Sequence, residues 1–218
     1  MAPLANARPE STAYIDRYLE TERAAGRSTR LRWTWVDGSR ISPHLKRAVL
    51  VAEDIGFFGH DGFDTHEIGA ALHDAWKEKT LPRGASTLTQ QLARNLFLSP
   101  SRDPLRKLRE ALLTRRLEQE LSKRRILEIY LNVVEFGPGV YGAEAASRHF
   151  FGVPALALDE ERAARLAAVL PRPSTWSPHH DSRGYRAAVE RILGRMERAT
   201  FLWKRIGATP PGAAPIEE

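Results

Sequence analysis

From Ser42 onward the sequence repeats one arrangement, a capping residue followed by apolar side chains three and four apart, and this confines the chain to a mainly α-helical fold. Ser42 is an N-cap and Pro43 a first helical residue, with Leu45, Ala48, Val49 and Ala52 behind them. Thr65 opens a second helix bearing Ile68, Ala71, Leu72, Ala75 and Trp76, and Ser86 a third through Leu88, Leu92 and Leu96. Asp103 and Pro104 open a long helix whose apolar stripe runs Leu105, Leu108, Leu112 and on to Leu121. Ser122 restarts the pattern in "SKRRILEIYLNVVEF", and "GPGVYGAEAASRHFFG" reads as a glycine turn with a short helix after it. Two last helices, about Asp159 to Leu170 and Tyr185 to Leu202, flank the proline-rich "PRPSTWSP". The strand candidate is "RLRWTWVDG", where Leu31, Trp33 and Trp35 alternate with polar or basic residues.

The 218 residues, 42% of them hydrophobic, suffice for one good-sized domain or two small ones. The expected organisation is a mixed, polar lead-in over 1–41, a helical domain over 42–205 and a disordered tail over 206–218, where "GATPPGAAPIEE" supplies little to bury. A formal charge of +6 calls for an anionic partner: nucleic acid, an acidic membrane surface or a phosphorylated substrate. With no cysteine, disulfides and thiolate metal sites are excluded, and either redox compartment fits. No stretch approaches the roughly 18 apolar residues of a spanning helix, and the N-terminus lacks the apolar centre of a signal peptide. The expectation is a soluble chain, and a chain trimmed of its anchor would read the same way.

Three segments could carry chemistry. In "VAEDIGFFGHDG" the first helix ends by presenting Glu53 and Asp54, although the negative end of a helix dipole disfavours carboxylates. Either a function requires an acid there, or the end is solvated and Phe57 and Phe58 fold back as a clasp. In "RGASTLTQQLARNLFL", Gly84 and Ala85 allow close approach to the backbone. The hydroxyls, amides and free N–H groups from Ser86 to Gln91 suit sugar hydroxyls or phosphate oxygens, or simply make a capped helix with a wet face. Then Arg94, Arg102, Arg106, Lys107 and Arg109 crowd around Glu110 in sequence. They form either a solvated charged face or a buried acid held by guanidinium groups, suited to a diphosphate or a nucleic-acid backbone.

These segments occur together and in one order. Through "EDIGFFGHDG", "RGASTLTQQLARN", "RKLRE", "SKRRILEIYLNVVEFG" and "ERAARLAAVLPRP", about Ser42 to Pro178, the sequence resembles the peptidoglycan polymerases of glycosyltransferase family 51, above all the monofunctional transglycosylases. The resemblance implies a lysozyme-like helical catalytic lobe, with a smaller flexible jaw subdomain that meets the membrane. It implies polymerisation of lipid II into β-1,4-linked glycan strands by inverting transfer from an undecaprenyl-diphosphate-linked donor, at the periplasmic face of a bacterial inner membrane. Glu53 then matches the general base and Glu110 the second acid, which assists the donor side with its cations or a metal. Asp54, Phe57 and His60 match the remaining fixed letters of the first motif. Ser86, Thr87, Gln90, Gln91 and Asn95 match the substrate-lining motif. Arg94, Arg102, Arg106 and Lys107 match diphosphate-binding positions, with Arg109 at a further basic position of that segment. The implied partners are lipid II, the growing strand, the membrane surface and other cell-wall synthesis proteins, without nucleic acid. The implied cofactor, if any, is a divalent cation, magnesium or manganese, and no organic group.

The sequence also departs from the family pattern. Many relatives carry lysine at position 94, and they usually place an acid where Arg162 stands, whereas here the acids are Glu160 and Glu161. No Ser-x-x-Lys triplet follows the transferase region, so no transpeptidase domain is expected. "KRRILEIYLN", with Glu128, Tyr130 and Asn132, reads as structural. Three rivals stand beside the polymerase: a lysozyme-like hydrolase, which needs a catalytic glutamate but no diphosphate site, an inactive scaffold of the cell-wall machinery, and a basic helical nucleic-acid binder, which interior acids weaken. The basic run from Arg94 to Arg109 weighs against the first, and the acids at 53 and 110 against the second.

Overall fold

The computed structural model describes residues 2–64, 86–98 and 105–212. The helix expected from Thr65, the residues Arg83 to Ala85, Arg102, the Asp103–Pro104 opening and the tail from 213 lie outside the described residues.

Helix α1 (Ala13–Ala24) is a finding in the lead-in, capped by Thr12, whose Oγ1 accepts from the Ile15 N–H. Its periodicity is weak because Ile15 is its one fully buried residue, so the pattern gives little to read. The strand candidate shrinks to β1 (Arg32–Trp33), paired parallel with β3 (Val140–Tyr141), which pairs antiparallel with β2 (Glu135–Gly137). The expected glycine turn is therefore a hairpin. Gly142, leaving β3 at φ 81°, brings its backbone so close to the Asn132 carbonyl that a Cβ would lie 2.5 Å from the oxygen. Asn132 in turn ties the lead-in down: its Oδ1 accepts from Val36 N and its Nδ2 donates to Val36 O, both at 2.9 Å.

Helix α2 (Pro43–Glu53) runs through the centre of the molecule. Ser42 caps it and Pro43 occupies its first turn, and Leu45, Ala48, Val49, Leu50 and Val51 are buried along it. It packs on α7 (Glu160–Val169), α8 (Arg183–Arg198) and α9 (Leu202–Ile206). The last two are separate helices where one was expected to reach Leu202. Helix α3 (Leu88–Phe97) lies against α1, α4 (Leu105–Glu120) and α5 (Lys123–Val133), and α6 (Ala143–Phe151) follows the hairpin.

One helix start and one helix face also differ from the sequence reading. Helix α3 is capped by Thr87 rather than Ser86, because Thr87 and Gln90 complete a capping box that Ser86 cannot make. On α4, Leu105, Leu108 and Leu112 are 57%, 60% and 63% exposed, so the apparent core stripe faces outward. The inward face is Glu110, Thr114 and Leu117, on the opposite side of the helix. Periodicity identifies a stripe, but only the neighbouring helix decides which side is covered.

Candidate active site

The end of α2 and the start of α3 are joined by one carboxylate. Asp54, the C-cap of α2, accepts through Oδ2 from the Leu88 N–H at 2.9 Å, one of the N–H groups that the first turn of α3 leaves without an intrahelical partner. Its Oδ1 lies 3.0 Å from His60 Nε2. His60 Nδ1 accepts from the Gly62 N–H at 3.1 Å, which places the proton of the neutral ring on Nε2, donating to Asp54. Thr87 Oγ1 donates to Gly62 O at 2.7 Å and accepts from Gln90 N, while Gln90 Oε1 accepts from Thr87 N. Gly62 sits at φ 87°, and a Cβ there would lie 2.6 Å from Thr114 Cγ2. Asp54, His60, Thr87 and Gln90 thus turn their polar atoms on one another and hold the two helix ends in register. Phe57 is wholly buried, edge-on to Phe58 at 5.1 Å between centroids, with Lys123 Nζ 4.5 Å from its ring centre. It shapes the corner from inside.

Glu53 is the last helical residue of α2 and is half-buried. It lines a cleft of about 250 Å³ with Asp54, Asp64, Ser86, Thr87 and Arg195. Gln91, one turn into α3, donates from Nε2 to Glu53 Oε2 at 2.8 Å. Burial pushes the Glu53 carboxyl above its usual range; the Gln91 donor and the Arg94 charge pull it down, and neighbouring Asp54 pushes it up. Arg195 was not anticipated from the sequence. It comes from α8, far along the chain, where "RILGRMERA" reads as one more amphipathic turn, and its Nη1 donates to Val51 O at 2.9 Å. No local signal marks it, since its place in the cleft follows from how α8 packs on α2.

Glu110 is wholly buried. Its carboxylate meets Arg106 Nη1 at 3.5 Å, Arg94 Nη1 at 4.0 Å and, closest, Lys107 Nζ. Arg94 reaches across from α3 and acts electrostatically on both acids. Asn95 is buried beside it on α3, and Arg109 stands exposed on α4. The structure therefore gathers Glu53, Asp54, Ser86, Thr87, Gln91 and Arg94 around one corner, with Glu110, Arg106 and Lys107 next to it.

A divalent cation suits neither acid cluster as it stands. Around Glu110 the neighbours are cations that would repel it. Asp54, His60 and Asp64 do place ligand atoms within 4.8 Å of one another, the one such group among the described residues. There His60 has its proton on Nε2 and its Nδ1 lone pair on Gly62, leaving no free ring lone pair for a metal.

The family model described as Transglycosylase matches residues 20–197. The biosynthetic peptidoglycan transglycosylase of Nitrosospira multiformis is 47% identical to this chain, over 88% of this chain and 84% of its own length. The protein of the same name from an Azoarcus species is 49% identical over 86% and 81%, and that of Thiobacillus denitrificans 48% over 83% and 78%. A family model that matches residues 20–197 of a mainly helical frame, together with relatives 47–49% identical over most of both chains, places the chain in the transglycosylase family.

Proposed function

We propose that the protein is a peptidoglycan glycosyltransferase that polymerises lipid II into β-1,4-linked glycan strands. The observation that carries this reading is the unequal pair of acids joined through Arg94: Glu53 in a cleft with a carboxyl raised by burial, and Glu110 buried among Arg94, Arg106 and Lys107. Glu53 takes the proton of the acceptor's 4-hydroxyl as that oxygen bonds to the anomeric carbon of the donor. The bond from that carbon to the undecaprenyl diphosphate breaks, and the diphosphate leaves with the electron pair. Attack from the opposite face turns the α linkage into a β linkage. Arg94, Arg106 and Lys107 supply the positive charge that a departing diphosphate requires, and Glu110 keeps those cations gathered when the site is empty. A lysozyme-like hydrolase has no use for such a cluster.

The lipid-linked substrate brings the enzyme to the extracytoplasmic membrane surface. Among the described residues no helix is long and apolar enough to cross a membrane, so contact through them is peripheral. Incubation with labelled lipid II and separation of the products on a gel tests the proposal. A ladder of glycan strands is expected, and shortening of preformed strands with no ladder from lipid II would replace the polymerase by a hydrolase.

A further inference from the structure

We propose that Tyr130 is a positioning residue that locks the side-chain amide of Gln91, and so leaves Glu53 Oε1, rather than Oε2, to act as the base. This rests on the reading of Glu53 as the general base.

Tyr130 belongs to the inward face of α5 and is wholly buried, so its hydroxyl must be satisfied by protein. It donates to Gln91 Oε1 at 3.0 Å, and Gln91 Nε2 donates to Glu53 Oε2 at 2.8 Å. The chain of donors runs one way, from phenol to amide to carboxylate. While Glu53 is ionised it can only accept, which already favours the amide NH₂ on its side. The orientation becomes contested once Glu53 has taken the acceptor's proton. A protonated Oε2 could donate to a flipped Gln91 carbonyl and hold the proton there, away from the cleft. The flip would turn the amide NH₂ toward the phenol, break the bond that the phenol donates and leave its proton in need of another acceptor at a wholly buried place. Tyr130 therefore opposes the flip, and burial favours its protonated form further. With Oε2 taken up by Gln91, and Oε1 receiving no hydrogen bond among the described residues, Oε1 is the oxygen that takes up and gives back a proton.

The other charged groups facing Glu53 are Asp54 on its own helix, Arg94 on α3 and, across the cleft, Arg195 on α8 and Asp64. All of them remain when Tyr130 or Gln91 is changed, so a shift in the pH profile reports the relay. Polymerisation of lipid II is followed against pH for wild type, Tyr130→Phe, Gln91→Leu and the double variant, with a melting curve for each. Tyr130→Phe is expected to lower kcat by up to about tenfold at near-constant KM, the upper end for one hydrogen bond between neutral groups, and to move the acidic limb to higher pH. The double variant is expected to match Gln91→Leu alone, because the hydroxyl acts only through the amide. A 3-fluorotyrosine at position 130, a stronger donor of the same shape, is expected to move the limb the other way, and it decides the matter if Tyr130→Phe does not fold. A wild-type limb in Tyr130→Phe, or in the fluorotyrosine protein where that one is decisive, overturns the proposal, as do additive effects in the double variant. Polymerisation by Glu53→Gln at the wild-type rate would instead overturn the assignment of the base.

Discussion

Glu53 and Glu110 are the same side chain in opposite surroundings. Glu53 ends a helix, looks into a cleft and has one neutral amide as its hydrogen-bond donor. Glu110 lies inside the fold on the concealed face of α4, with three cations at its carboxylate. A base must be free to exchange a proton, so it is held by a neutral donor and kept near solvent. A group that organises cations does so best when it stays charged and does not move. The difference teaches that burial alone assigns no role to an acid; the charge of what touches it does.

The strongest way to break this comparison is Glu53→Gln, which keeps the shape and removes the base. Polymerisation is expected to fall by about 10³-fold or more, with lipid II still bound, as measured by strand synthesis beside a binding assay. A wild-type rate would make the two acids equivalent after all. Glu110→Gln should cost about 10²-fold through poorer placement of the donor diphosphate, and it should leave the acidic limb of the pH–rate profile in place, since that limb reports Glu53. That limb lies above the ordinary carboxylate range, with activity lost as falling pH protonates the base.

Arg94 sharpens the comparison because it serves both acids. Arg94→Ala is expected to lower the rate about tenfold, as loss of one charge-assisted contact does, and to move the acidic limb upward, because its charge holds the Glu53 carboxyl down. Combined with Glu110→Gln, it should cost less than the sum of the two changes, which a double-mutant cycle on kcat/KM checks.

The smallest effect concerns stability. Glu135, on β2, is a third acid, with a backbone hydrogen bond from Gly139 opposing its burial, which pushes it up to about 7. Between its ordinary value of 4.5 and that value, the folded protein holds a proton that the unfolded chain has lost, so stability falls as pH rises through this window. Glu135→Gln should remove on the order of 1 kcal/mol of this pH dependence, or about 2–4 °C in the difference between melting midpoints at pH 5 and pH 8.

Much of the helical order was legible because it is local. Ser42, Ser122 and Asp159 each cap a helix through their own side chain, a bond made within three residues. The motif acids and cations could be named for the same reason, as residue types at short spacing. What sequence reading missed depends on distant partners. The outward leucines of α4, the arrival of Arg195 in the cleft and the hold of Asn132 on the lead-in all follow from which helix covers which face.

Gln91 shows the division most clearly. As a polar residue in a polar run it reads as a substrate contact, yet its amide joins Tyr130 to Glu53 across three helices. The sequence alone determined that this chain is helical and where most of the described helices begin, and it offered two acids and a run of cations as candidates for its chemistry, because caps, periodicity and residue type are properties of neighbours in the chain. Tertiary structure alone decided which acid opens into a cleft and which is wholly buried, because burial is set by which helices, distant in the chain, cover each face.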